Sequence, residues 1–323
     1  MIEGFSIPAI IHNDHYFFVD LSVYEDGRVE CWNFEDFDHF KNDVQRGWVA
    51  VSIPDNKDIS IHGLGSWTIE KGNWLFTKDT FIEYIRDVIK QLNPNLDNIY
   101  KHAEKKINGI VVGESGKGTI YKAQQTTKYD FFKAKIDGTS TDLFYKLDDA
   151  FCLVQVNIFA DDSLELSRLE TPISLNMEEL EKHITDGVLL TDIPAGAIVY
   201  IYGLGHFCVQ KKLFSSSIHD KLLEIKDIQR RLKGEPTTLD ICKQAYRDYL
   251  EDPTNSSRDK LRIAYEQVPN HQKRFVGDMD TKDFAVRMII YGEQEIEKWS
   301  HYQLAKTRGE KLPTITLPRP KDS

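Results

Sequence analysis

The chain has 323 residues, a formal net charge of −10 at pH 7 and 41% apolar residues. That length suits two or three domains, and that apolar share supports packed cores and excludes general disorder. No run approaches the eighteen or so apolar residues of a membrane span, and residues 1–106 hold 11 basic against 18 acidic side chains, a balance that argues against double-stranded nucleic acid as a partner.

The opening stretch MIEGFSIPAIIHND has no basic segment followed by a long apolar one, so no secretory signal is expected. His12 and His15 flank a turn-like Asn13-Asp14. They read as a surface turn, because a metal site needs three or four convergent ligands. Residues 16–31, YFFVDLSVYEDGRVEC, are two β-rich runs around an acidic turn. A helix follows over 34–47, with Phe37, Phe40 and Val44 on one buried stripe. Strands return in GWVAVSIPDNKDISIHGLGSWTI (47–69). NWLF (73–76) then leads into the helical TKDTFIEYIRDVIKQL, with Phe81, Ile85, Val88 and Leu92 on one side.

Residues 107–137 interrupt the pattern. VVGESGKGTIYKA (111–123) imitates two phosphate-binding loops. A P-loop would need glycine where Val111 stands and a hydroxyl where Gly118 stands, followed by a helix rather than the strand-like TIYKAQQ. A kinase glycine loop would need His-Arg-Asp and Asp-Phe-Gly downstream, and neither occurs. The segment is predicted as a hairpin, GIVVG and TIYKA around ESGKG, inserted between repeats.

The first pattern then recurs. GVLLTDIPAGAIVYIYGLGHFCV (187–209) lies over 47–69 at an offset of 140, with seven identities that include Gly63/Gly203, Leu64/Leu204 and Gly65/Gly205. SLNMEELEKHITDG (174–187) lies over 34–47, and FCLVQVNIFADDSLEL (151–166) lies over 16–31 at an offset of 135. KKLF (211–214) matches NWLF and precedes a second helix, with Ile218, Leu222, Ile225 and Ile228 on one side. The period is far too long for a solenoid. The sequence predicts two tandem antiparallel α+β repeats of order βββαββα, at 1–106 and 138–235. They are two domains or two halves of one pseudo-symmetric domain. Gly63, Gly65, Gly203 and Gly205 are expected to be structural, because the flanking His62 and Ser66 become Tyr202 and His206 while the glycines persist.

Residues 236–310 read as a small all-α domain. One helix carries Leu239, Cys242, Tyr246 and Tyr249 and stops at Pro253; the next has Ser256 as its expected N-cap; a third ends at Gly309. Between them, NHQKRFVGDMDTKDFAVRMIIYG (270–292) gathers His271, Arg274, Asp278, Asp280 and Asp283, a candidate ligand or partner site. The competing reading is that Asp280 or Thr281 caps a helix with Asp283 in its first turn. Residues 311–323 form an extended Pro-rich tail, free or docked on a partner.

Cys31, Cys152, Cys208 and Cys242 form no C-x-x-C pair and read as small hydrophobes of a reducing, cytoplasmic compartment. No metal or cofactor is expected, and no catalytic residue is assigned. The function expected is a non-catalytic protein-binding protein, an adaptor or an acidic inhibitor of a basic partner. The alternative is an enzyme or small-ligand protein with a site at the interface of the repeats and the helical domain, around 270–283.

Overall fold

The computed structural model describes residues 3–32, 36–101, 104–113 and 136–321. The hairpin predicted across ESGKG lies outside the described residues. Two compact units divide the chain: Met1–Ile136 with Ser140–Asn157 and Ser163–Ser216, and Asp137–Thr139 with Ile158–Asp162 and Ser217–Ser323.

Repeat 1 runs β1 (Gly4–Asn13), β2 (His15–Tyr24), β3 (Val29–Glu30), α1 (Phe37–Arg46), β4 (Val49–Ala50), β5 (Asp58–Ile61), β6 (Gly65–Trp74) and α2 (Lys78–Leu92). A hairpin follows, β7 (Glu104–Ile107) and β8 (Ile110–Gly113). Asn108 and Gly109 turn it with φ of 52° and 82°, the left-handed pair that a two-residue hairpin turn needs. Repeat 2 runs β9 (Gly138–Leu147), β10 (Ala150–Phe159), β11 (Leu164–Ser167), β12 (Ile173–Leu175), α3 (Met177–Thr185), β13 (Leu189–Leu190), β14 (Ile198–Ile201), β15 (Gly205–Ser215) and α4 (Ile218–Leu232). The duplicated α+β architecture is therefore present, with a two-residue strand in each repeat, β4 and β13, and the short β12 in repeat 2 beyond the predicted order.

Local chemistry sets the helix ends. The Asp36 carboxylate accepts the His39 N–H at 2.8 Å, and Gly47 stops α1 with φ of 80°. Thr77 and Thr80 form a reciprocal capping box on α2. Both helices lay one stripe on the sheet. Phe40, Val44, Phe81, Ile85 and Val88 pack against Ile7, Ala9, Ile11, Leu21 and Val23, all buried. Each such side chain contributes about 1.5–3 kcal/mol.

The two repeats share one sheet. β6 pairs antiparallel with β15, and Ile69 pairs with Val209, the last pair of the sequence alignment. Outward from this seam the order is β5, β2, β1, β4 on one side and β14, β10 on the other, with β9 and β13 continuing from β10. A parallel pairing recurs in each repeat, β2 with β5 and β10 with β14. Backbone bonds repeat at the same offset: Asn56 N–H to the Ile69 carbonyl and Gly196 N–H to the Val209 carbonyl, both 2.7 Å. The repeats are thus halves of one pseudo-twofold sheet. Neighbouring strands lie about 4.8 Å apart, so a flat sheet would hold β2 and β10, five steps apart, at about 24 Å. Instead the Gln155 amide on β10 donates to Asp20 on β2 at 3.3 Å. The sheet curls until these two strands meet.

Two sequence registers are corrected. The His12 N–H bonds the Trp48 carbonyl as the Lys146 N–H bonds that of Val188, so the offset of 135 does not extend back into β1, where it is 134 and His12 corresponds to Lys146. The cause is a turn one residue longer between β9 and β10 than between β1 and β2. Leu75 N–H bonds the Leu204 carbonyl as Ser216 N–H bonds that of Leu64, so NWLF and KKLF are not equivalent stretches. Register shifts along β15 absorb the difference.

The second unit continues from α4 with α5 (Thr238–Glu251), α6 (Asn255–Glu266), α7 (Asn270–Lys273), α8 (Phe284–Tyr291), a 3-10 turn (Glu293–Lys298) and α9 (Ser300–Arg308). Thr254, not Ser256, caps α6, through a box with Ser257. Cys242, Tyr249, Leu261, Tyr265, Val268 and Val286 form the core. The Pro-rich tail is held by its own unit: Leu317 packs on that core, the Tyr249 hydroxyl donates to the Pro318 carbonyl at 2.9 Å, and the Lys321 N–H donates to the Pro253 carbonyl at 2.8 Å.

Candidate functional site

The five polar residues singled out between 270 and 283 go to separate tasks. The Asp278 carboxylate accepts the N–H groups of Asp280 and Thr281 at 3.0 and 2.6 Å, and the Thr281 hydroxyl at 2.8 Å. Those bonds, led by the Thr281 N–H, lower its pKa. Asp283 is buried, and its carboxylate accepts the Tyr265 hydroxyl. Burial, then that bond, raises the tyrosine's pKa. Neither Asp280 nor Thr281 caps α8; the helix starts one residue beyond Asp283, which makes no side-chain cap. His271, Arg274 and Asp280 are exposed, and Arg274 lies over the Phe275 ring at 4.8 Å. Among the described residues no group of three His, Cys, Asp or Glu side chains is placed to hold a metal ion. His12 and His15 turn instead to the rings of Tyr16 and Phe17.

The G-L-G triplets build the seam between repeats. Gly63 and Gly203 have φ of 67° and 75°. A Cβ on Gly65 would lie 2.5 Å from the Phe214 carbonyl oxygen, and one on Gly205 would strike the Asn73 carbonyl. Each repeat's glycine thus lets the other repeat's strand approach.

At the closure of the curl lies a polar cluster that sequence reading missed. The Arg168 guanidinium, almost wholly buried, bonds Asp20 at 2.6 Å and Asp142 at 2.9 Å and lies over the Phe18 ring at 4.9 Å. Asp20 and Gln155 occupy equivalent positions, and near a pseudo-twofold axis such positions meet each other. Two carboxylates there would repel, and repeat 2 supplies an amide donor instead. These bonds join Asp20 of repeat 1 to Arg168 and Gln155 of repeat 2, so the cluster fastens the repeats. No local pattern signals it, because Arg168 and Asp20 are 148 positions apart.

The clearest difference between the repeats lies on the outward side of their matched strands. In repeat 1 this side carries Asp58, Ser60 and His62 opposite Thr68 and Ser66. The Thr68 hydroxyl donates to Asp58 at 2.6 Å, the Ser60 hydroxyl to Ser66 at 3.1 Å, and that of Ser66 to the Ile59 carbonyl at 3.1 Å. In repeat 2 the same backbone positions hold Ile198, Tyr200 and Tyr202, which are 40%, 43% and 56% exposed. Across from them stand Cys208 and His206, the latter with its ring 5.2 Å from that of Tyr200. Leu75, 65% exposed and bonded through its N–H to Leu204, extends the strip, as does Tyr84, whose pKa burial and then Tyr202 raise. Repeat 1 carries its aromatic one strand over, where Phe17 lies beneath Trp32; the position equivalent to Trp32 is Ser167, which bonds Asn157. The inward residues are matched in both copies: Ile59 and Ile61 against Val199 and Ile201, all buried. The signal was present in the sequence as D-I-S-I-H against I-V-Y-I-Y, but an unbroken apolar run reads equally well as a strand buried on both faces.

All four cysteines are free. Burial raises Cys31 to about 11, with Asp20 adding to the shift, and raises Cys242 to about 12. No described helix is long and apolar enough to cross a membrane.

A family model described as a domain of unknown function (DUF7638) matches residues 1–96 and 125–236, and a second, also a domain of unknown function (DUF7639), matches residues 237–315. No curated protein and no solved structure matches the chain.

Proposed function

The chain belongs to the DUF7638 family of domains of unknown function, and on that premise we propose that it is a non-catalytic protein-binding protein whose repeat 2 presents the docking face. The observation that carries this reading is the strip of Ile198, Tyr200, Tyr202 and Leu75 held outward on the middle of a rigid sheet. Contiguous exposed apolar surface marks interaction sites, and tyrosine is enriched in them because it offers a large, stiff ring with a polar tip. Repeat 1 supplies the other half of the scaffold and, with its balance of −7, an acidic field. That field speeds and orients the approach of a basic partner, as an adaptor or an acidic inhibitor requires. Four free thiols fit a reducing cytoplasmic compartment.

The alternative of an enzyme or ligand site around 270–283 draws no support from the arrangement there, since Asp278 and Asp283 are engaged by Thr281 and Tyr265. The protein-binding reading is tested with the immobilised full-length chain in native lysate. The expected result is a stoichiometric protein partner whose association rate falls as salt rises. Repeated recovery of no partner contradicts it.

A further inference from the structure

A second binding surface lies in the helical unit, separate from the sheet strip. Two concavities of about 540 and 390 Å³ adjoin along α5 and α6 and share Ile241, Ala245 and Lys260. Together they form one open groove. Its floor is apolar: Ile241 and Ile263 are 46% and 61% exposed in the middle of helices, beside Ala245 and Ala264. α5 and α6 are antiparallel neighbours joined by a short turn, so the groove between them has the shape that accepts the ridge of a third helix.

The rim selects the charge of that helix. Five charged side chains line the groove, cationic Arg230, Arg247 and Lys260 and anionic Asp240 and Asp248. Four are engaged within the unit. Asp240 closes the capping box with Thr237, which lowers its pKa. Asp248 accepts the Gln244 side-chain amide N–H at 2.7 Å, Arg247 donates to the Gln244 side-chain oxygen Oε1 at 2.7 Å, and Arg230 lies 3.7 Å from Asp227. Lys260, shared by both concavities, has no hydrogen-bond or ion-pair partner among the described residues.

We infer that the α5–α6 groove binds an acidic amphipathic helix of a partner protein, its aliphatic stripe on Ile241 and Ile263 and a carboxylate on Lys260. Two aliphatic contacts fix the stripe, and the central ammonium sets register and sign.

The test uses the full-length chain carrying labelled isoleucine methyl groups. It is titrated with two designed helical peptides of about 18 residues that share one Leu/Ala stripe, long enough to populate helix. One carries glutamates beside the stripe and the other lysines. The glutamate peptide is expected to shift the Ile241 and Ile263 methyls saturably and to bind at least about tenfold more tightly than the lysine peptide. Lys260→Glu should reverse that preference, and Ile263→Asp should abolish binding of both peptides. Tyr200→Ser should leave the titration unchanged, which separates failure of this inference from failure of the sheet-face reading. Equal binding of the two peptides, shifts confined to Ile198, a preference that survives Lys260→Glu, or no shift with either peptide would overturn it.

Discussion

Repeat 1 and repeat 2 share backbone pairing, turn geometry and inward side chains, yet differ in what they show to solvent. Asp58, Ser60, Ser66 and Thr68 bond one another, whereas Ile198, Tyr200 and Tyr202 stand exposed on the same framework. The two sides of a strand answer to different physics. Inward positions face a core in which each lost methylene is felt. Outward positions vary more freely: in repeat 1 Ser66 and Thr68 are buried and satisfied by their own ladder of hydrogen bonds, whereas in repeat 2 Ile198, Tyr200 and Tyr202 meet water. Duplication thus supplied one surface free to change while the other kept the sheet closed.

The comparison breaks most readily at the contacts both repeats share. Arg168→Ala should cost about 1.5–3 kcal/mol, because the half-buried Asp20 and Asp142 would lose their charged hydrogen-bond donor; urea denaturation measures this, and a loss below about 1 kcal/mol contradicts the fastening role. Gly65→Ala and Gly205→Ala should each cost about 1–3 kcal/mol through collision with the neighbouring strand. At Gly203 a Cβ meets nothing within 4 Å, and alanine there should lose only the left-handed preference, about 1 kcal/mol. Gly205 also has φ of 141°, a region that Gly65 does not share, so Gly205→Ala should cost more than Gly65→Ala. Asp58→Ala should cost about 1 kcal/mol by leaving the buried Thr68 hydroxyl without its acceptor.

The smallest effect concerns the thiols. Cys31 and Cys242 hold their protons to about 11 and 12 in the folded chain, whereas an unfolded thiol releases its proton near 8.5. A raised folded pKa gives stability that is complete below about 8.5 and lost as pH climbs toward those values. The thermal midpoint should therefore fall from pH 9 to pH 11, and Cys31→Ala with Cys242→Ala should shrink that fall. An unchanged slope in the double variant would contradict the cause.

Much of the fold was legible because it rests on periodicity and repetition. Phe37, Phe40 and Val44 announced α1, and the offset of 140 placed Ile69 over Val209, which proved to be paired across the seam. Legibility ended where one residue decides a register. The longer β9–β10 turn moved the counterpart of His12 to Lys146, and the shifts along β15 undid the match of NWLF with KKLF. Helix starts were misplaced where several capping residues stand together, as at Thr254, Ser256 and Ser257, because composition alone does not say which hydroxyl reaches the third N–H. Asp283 looked like a first-turn acid, but Tyr265, eighteen positions away, takes its carboxylate. Arg168 was invisible for the same reason. The exposed strip was readable only as a contrast between copies, since nothing in IVYIY itself says which side meets water.

The most direct test of a docking face on repeat 2 gives that repeat the outward chemistry of repeat 1. The variant Ile198→Asp, Tyr200→Ser, Tyr202→His should keep the wild-type thermal midpoint within about 2 °C and bind the recovered partner at least about tenfold more weakly by calorimetry. Full wild-type affinity in that folded variant would contradict the account.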